Sequence, residues 1–231
     1  MGDYTLSNLK RITIFAGHYG SGKTNIAINY ALYLKSIYDN VTIADIDIVN
    51  PYFRTKDGEK VLSENGIKLI SSEYANTNVD VPAIPPEVYA VTQNKELYSV
   101  IDVGGDDRGA YALGRYAPDI LKENNYNMYF VINKYRPLTK DASGTVEIMK
   151  EIEASCGIKF NGIVNNSNLG NETTAIDILD SVKYADEISK ASGLDVVLTT
   201  VRRDLFNEVS QKIDNAFPIK IYVNFLDRIK N

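Results

Sequence analysis

The segment Gly17-His18-Tyr19-Gly20-Ser21-Gly22-Lys23-Thr24 constrains this chain more than any other. It fits the pattern G-x-x-x-x-G-K-[ST]. It follows an apolar run, Ile12-Thr13-Ile14-Phe15-Ala16, and precedes a stretch with Ala27, Ala31 and Leu34 at helical spacing. The pattern requires that context: a strand, a tight loop, then a helix. Glycines let the loop curl so that successive N–H groups converge on one anion. The helix that begins there adds free amides and the positive end of its dipole. The loop from Gly17 to Thr24, with Asn25 next to it, is therefore expected to cradle a polyphosphate. Lys23 is placed to reach the β- and γ-phosphates, and the Thr24 hydroxyl to ligate Mg²⁺.

The rest of the chain repeats a short β-branched run, a polar turn and a helical pattern. Strands are expected at Arg11–Ala16, Val41–Asp45, Ile67–Ser71, Tyr98–Val103, Met128–Asn133, Gly162–Asn165 and Asp195–Thr199. Several are continuously apolar, as strands covered on both faces are. Helices are expected at Thr24–Leu34, Arg108–Lys122, Leu138–Ala154, Glu172–Ala191 and Arg203–Ile213. This alternation specifies an α/β fold, a doubly wound and mostly parallel sheet with helices on both faces. The stretch Ser72–Pro86 reads as a surface excursion before a short helix. The tail Pro218–Asn231 reads as a last edge strand followed by a short helix at Phe225–Ile229. With no repeat or linker, residues 1–231 are expected to form one nucleotide-binding domain.

At 231 residues the chain is long enough for one substantial core. A net charge of −5 argues against a surface devoted to nucleic acid or anionic lipid. The 16 tyrosines could stack on bases, but Tyr30, Tyr33 and Tyr38 fall with the first helix and read as core and rim. Cys156 is the only cysteine, so no internal disulfide is available, and it reads as a small buried apolar residue. The polar start of the chain reads as neither a signal nor a transit peptide, and no apolar run is long enough to span a bilayer. A cytoplasmic location is expected.

In a parallel sheet, ligands meet the loops that follow the carboxyl ends of the strands. The second strand leads into Asp45-Ile46-Asp47-Ile48-Val49-Asn50-Pro51-Tyr52-Phe53-Arg54, and the fourth into Asp102-Val103-Gly104-Gly105-Asp106-Asp107-Arg108. An aspartate ending an apolar strand, as Asp102 does, suits a Walker B element that holds Mg²⁺. The Gly105 N–H is in a position to approach a γ-phosphate. Several aspartates around one phosphate site repel it unless a cation is present, so Mg²⁺ is expected.

Together these segments resemble the MinD/ParA class of P-loop ATPases, which also includes the nucleotide-binding domains of cobyrinic acid a,c-diamide synthases and dethiobiotin synthetase. The resemblance implies that Asp45 supports the metal shell, that Asp47 orients the attacking water and that Asp102 is the Walker B carboxylate. It also implies ATP and Mg²⁺ as ligands and a nucleotide-dependent homodimer. One position departs from the class. Its members carry a second lysine just after the first P-loop glycine, where this chain has His18. An imidazole is not a permanent cation. Arg54 and Arg108, in the two switch-like loops, are candidates to replace that charge.

The fifth strand ends in Asn133-Lys134-Tyr135-Arg136, close to the guanine-reading N-K-x-D element of GTPases. Arg136 stands where the aspartate should be and offers guanine no acceptor. The sixth strand ends in Asn165-Asn166, where MinD-like ATPases use an asparagine to read adenine. ATP is therefore expected over GTP. The leading expectation is a Mg·ATP-dependent switch that hydrolyses ATP with Lys23 and Asp47 as catalytic residues and acts on a protein partner. An ATP-dependent ligase or synthase with a small-molecule substrate is the second expectation. A nucleotide-binding regulatory module without turnover is the third.

Overall fold

The computed structural model describes residues 6, 8–46, 58–71, 86–105 and 107–223, apart from the side chains of 107 and 108. Its centre is an eight-stranded sheet: β1 (Ile12–Ala16), β2 (Val41–Asp45), β3 (Lys68–Ile70), β4 (Tyr98–Asp102), β5 (Tyr126–Ile132), β6 (Gly162–Asn165), β7 (Val196–Arg202) and β8 (Ala216–Ile219). The order across the sheet is β3-β2-β4-β1-β5-β6-β7-β8, and every pairing is parallel. Among the described residues, eight helices connect the strands: α1 (Lys23–Lys35), α2 (Glu59–Glu64), α3 (Tyr89–Gln93), α4 (Asp107–Gly114), α5 (Ala117–Glu123), α6 (Ala142–Cys156), α7 (Ala175–Ser192) and α8 (Phe206–Val209).

Alternation along β1 explains why both faces are covered. Ile12, Ile14 and Ala16 enter one apolar layer with Ala110 and Leu113 of α4, Met149 of α6 and Ile188 of α7. Phe15 enters the opposite layer with Ile26, Tyr30 and Leu34 of α1 and Phe217 of β8. Thr13, on that second face, faces the Tyr30 hydroxyl at 3.5 Å. Burial pushes the Tyr30 phenol up to about 12, and Tyr38 stacks on Tyr98, so both are packing residues. Tyr33 caps the core rim and accepts from the Leu6 amide at 2.9 Å. Cys156 is buried, as expected.

Two expected helices come out differently. The stretch Arg108–Lys122 is two helices, because Arg115 and Tyr116 form a turn and Pro118 sits at the start of α5. A proline is favoured in a first turn, where its missing N–H costs nothing, and it cannot continue a preceding helix. The stretch Arg203–Ile213 shrinks to α8 with a 3₁₀ turn before it. Helix α6 starts later than expected, at an Asp141 cap whose carboxylate accepts from Gly144 N at 2.9 Å. The last strand is Ala216–Ile219, earlier than expected, and it pairs in parallel with β7. The Ser72–Pro86 excursion, apart from Pro86, and the Phe225–Ile229 helix lie outside the described residues.

The order places β1 between β4 and β5. From β1 the chain runs toward β2, and from β5 it runs the other way, toward β6. A crevice opens at such a reversal, beyond the carboxyl ends of the strands. The Gly17–Thr24 loop leaves β1 at that point.

Candidate functional site

The loop adopts the curled backbone expected of it, with Gly20 and Gly22 at φ +76° and +89°. A side chain at Gly22 would be strained by its backbone and would displace Asn166, since a Cβ there would lie 2.2 Å from Asn166 Nδ2. Lys23 opens α1 and folds back across the loop. Its Nζ donates to the carbonyls of Gly17 at 2.8 Å and His18 at 3.2 Å. Lys23 as a residue is 7% exposed, so its charge is held in a poorly hydrated position beside the loop amides. A charge held this way interacts more strongly with a polyphosphate than a solvated one does.

Strand pairing brings the acidic loops to this point. Asp45 and Asp102 are opposite one another on β2 and β4, and they are 5% and 2% exposed. Ile46 N donates to Asp102 O and Val103 N to Phe15 O, each at 3.0 Å, so the β1, β2 and β4 ends are locked side by side. Thr24 Oγ1 donates to Asp102 Oδ2 at 2.7 Å. The sequence positions 24 and 102 thus meet, and the hydroxyl and carboxylate form a hard oxygen pair at the mouth of the loop. Gly105 lies against the loop: a Cβ on it would be 2.5 Å from Tyr19 N. The loop after β4 therefore reaches the Gly17–Thr24 cradle through main-chain contact.

The pair suits Mg²⁺, which takes one or two protein oxygens and completes its shell with phosphate and water. Among the described residues there is no cluster of three His, Cys, Asp or Glu side chains that would enclose a metal by protein alone. Asp47, Asn50 to Arg54 and Asp106 lie outside the described residues, as does the Arg108 side chain.

Three expected contacts meet a competing use. The Asn25 amide faces away along α1 and binds the tail backbone, accepting from Tyr222 N at 2.8 Å and donating to Val223 O at 2.8 Å. Asn165 is fully buried; its Nδ2 donates to Ser181 Oγ at 2.8 Å and its Oδ1 accepts from Ser167. Asn166, 1% exposed, donates to Ser21 O at 2.6 Å and accepts from the Thr200 hydroxyl. Their polar edges thus face protein partners: Asn165 holds β6 to α7, and Asn166 ties the phosphate loop to β6 and β7. A periodic pattern gives no sign of such pairing, because it does not say which strands become neighbours.

Burial, and then the nearby Lys23 charge, lower the His18 pKa below its usual 6.5. His18 is therefore neutral at pH 7, and it does not supply the permanent charge of a second lysine. A different cation does stand on the loop. Arg136, exposed, donates from Nε to Gly20 O at 2.8 Å, whereas Lys134 turns away to Asp180 O at 3.2 Å. Sequence reasoning noted Arg136 only for the acceptor it lacks.

No protein-family model and no curated protein matches the sequence. Solved structures do resemble the fold. The cell division protein FtsY of Thermotoga maritima superposes with a TM-score of 0.57 at 17% identity, over 86% of this chain and 65% of that one. FtsY of Mycoplasma mycoides gives 0.56 at 18%, over 86% and 64%. The 54 kDa signal recognition particle protein of Aeropyrum pernix K1, solved with GDP, gives 0.50 at 16%, over 85% and 42%. The chain thus spans less than two thirds of the length of each. At these identities the likeness is one of fold, and the fold, an all-parallel sheet with helices on both faces and a glycine loop at its switch point, is that of the P-loop NTPases.

Proposed function

We propose that this chain is a Mg²⁺-dependent nucleoside triphosphatase of the MinD/ParA kind that serves as a switch, with ATP as a substrate. The observation that carries the reading is the Thr24 Oγ1–Asp102 Oδ2 contact of 2.7 Å, which joins the phosphate loop to the carboxylate at the end of β4. The loop amides and the Lys23 ammonium bind the β- and γ-phosphates and favour the charge that develops on the transferred group. Thr24 and Asp102 hold Mg²⁺, with Asp45 beside them; the ion neutralises phosphate charge when bound. Asp47 orients the attacking water, a role taken from its D-x-D motif. Gly105 brings the loop after β4 against the cradle, so that this loop senses the terminal phosphate and presents the change to a partner. The lowered His18 pKa weighs against a dimer built on a second P-loop cation.

Calorimetry and turnover assays with Mg·ATP test this. Wild type binds, Lys23→Ala does not, and Asp47→Asn binds normally while turnover falls at least about a hundredfold, a loss comparable to that of other catalytic groups. Loss of binding in Asp47→Asn, or unchanged turnover, removes Asp47 from this role. A folded wild type that ignores nucleotides removes the whole reading.

A further inference from the structure

We infer that Thr200, on β7 and outside the cradle, is a positioning residue for the phosphate site: through Asn166 it fixes the direction in which the Gly22 amide points. The inference rests on the nucleotide reading above and adds to it a residue that touches neither phosphate nor metal.

The chain of contacts is short and buried throughout. The Thr200 hydroxyl donates to Asn166 Oδ1, and Asn166 Nδ2 donates to Ser21 O at 2.6 Å. Ser21, Asn166 and Thr200 are 1%, 1% and 4% exposed, so water does not compete for these bonds. The Asn166 backbone is anchored separately, since its N–H donates to Ile132 O at 2.9 Å. What remains free is rotation of the side-chain amide about its last torsion. Turned over, the amide would set Oδ1 against Ser21 O, two acceptors with no proton between them. The Thr200 hydroxyl favours the other orientation, with Oδ1 toward β7 and Nδ2 toward the loop.

Holding Ser21 O fixes more than one atom. The Ser21–Gly22 peptide is planar and trans, so its N–H points opposite to its carbonyl. With the oxygen drawn to Asn166, the Gly22 N–H is turned away from Asn166 and β7. Ser21 is buried and Gly22 only half-buried, so this direction leads out of the protein, the side from which a polyphosphate reaches the loop. The preceding amide is not available, because Ser21 N donates to His18 O at 3.2 Å. Among the described residues nothing accepts from Gly22 N. A donor aimed in advance needs no reorganisation when the anion arrives.

The test uses Thr200→Val, which keeps the shape and removes the hydroxyl, and Thr200→Ser, which keeps the hydroxyl. Calorimetry gives affinities for inorganic tripolyphosphate with Mg²⁺ and for Mg·ATP, while nitrogen-15 NMR follows the Gly22 amide through both titrations. Thr200→Val should bind both probes about tenfold more weakly than wild type, the part of one charge-assisted hydrogen bond lost when its donor is no longer aimed. Its Gly22 resonance should differ from wild type before any probe is added, and should shift less on saturation. Thr200→Ser should restore the resonance and bind within about twofold of wild type. Should Thr200→Val fail to fold, Thr200→Ala removes the same hydroxyl and carries the same expectation. Wild-type affinity in Thr200→Val overturns the inference. So does weaker binding with an unmoved Gly22 resonance, since Thr200 would then only stabilise the sheet, and so does a loss in Thr200→Ser as large as in Thr200→Val. If wild type binds neither probe, the nucleotide reading falls and takes this inference with it.

Discussion

Asn166 and Gly22 fit closely together: the Asn166 Nδ2 that donates 2.6 Å to Ser21 O sits 2.2 Å from the place a Gly22 Cβ would occupy. One amide thus supports the bend of the phosphate loop from beneath. Gly22→Ala must strain a backbone at φ +89° and also displace that amide. The backbone term alone is about 1–3 kcal/mol. We expect Gly22→Ala to abolish Mg·ATP binding while leaving a folded protein by circular dichroism. Asn166→Ala leaves the buried Thr200 hydroxyl and Ser21 carbonyl without their partner, at about 1–3 kcal/mol of stability. Denaturant titration and calorimetry on the two variants check both statements.

His18 predicts an acid limit. Its folded pKa is below 6.5 because burial, and next Lys23, oppose protonation. The unfolded chain therefore binds the proton more readily than the native one. Stability from a neutral His18 is complete above pH 6.5 and is lost as pH falls through 6.5 toward the lower native value. His18→Gln should flatten the stability profile in that window and leave it unchanged above about pH 7.5. Urea midpoints measured between pH 5 and 8 provide the comparison.

A second acid-sensitive point lies at the opposite end of the sheet. Arg11, 3% exposed, pairs with Glu123 and donates to Val91 O at 2.8 Å and Leu97 O at 2.9 Å. The Arg11 hydrogen bonds, with help from Lys95, hold the Glu123 carboxyl below its usual 4.5. This contribution is present above pH 4.5 and fades as pH falls below it. Glu123→Gln should cost about 3 kcal/mol, because it leaves a buried guanidinium without its counter-charge. It should also reduce the loss of stability in acid, read by thermal unfolding from pH 3 to 6.

Asn25 and Asn29, one turn apart on α1, bind the backbone that follows β8. Asn29 accepts from Lys220 N at 2.9 Å and donates to Lys220 O at 2.7 Å, and Asn25 does the same for residues 222 and 223. In Asn25→Ala/Asn29→Ala the amide protons of Lys220, Tyr222 and Val223 should exchange at least about tenfold faster, since each lost bond is worth about 1 kcal/mol. Exchange within β1 should not change. An equal rise in both places would mean that the helix itself had been destabilised.

The amino-acid pattern alone determined the strand–loop–helix unit at Gly17–Thr24, the alternation that makes a parallel sheet, and the placing of Asp45 and Asp102 at strand ends. These follow from local geometry: periodicity, glycine freedom and the position of a polar residue after an apolar run. Tertiary structure decided what local pattern cannot encode. It set the strand order that puts Asp102 beside Thr24, 78 positions away in the chain. It turned Asn165 and Asn166 to serine, threonine and loop partners, and Asn25 to the tail. It also brought Arg136 across 116 positions to Gly20 O. A buried amide must find partners wherever packing supplies them, and those partners come from strands that only the assembled sheet makes neighbours.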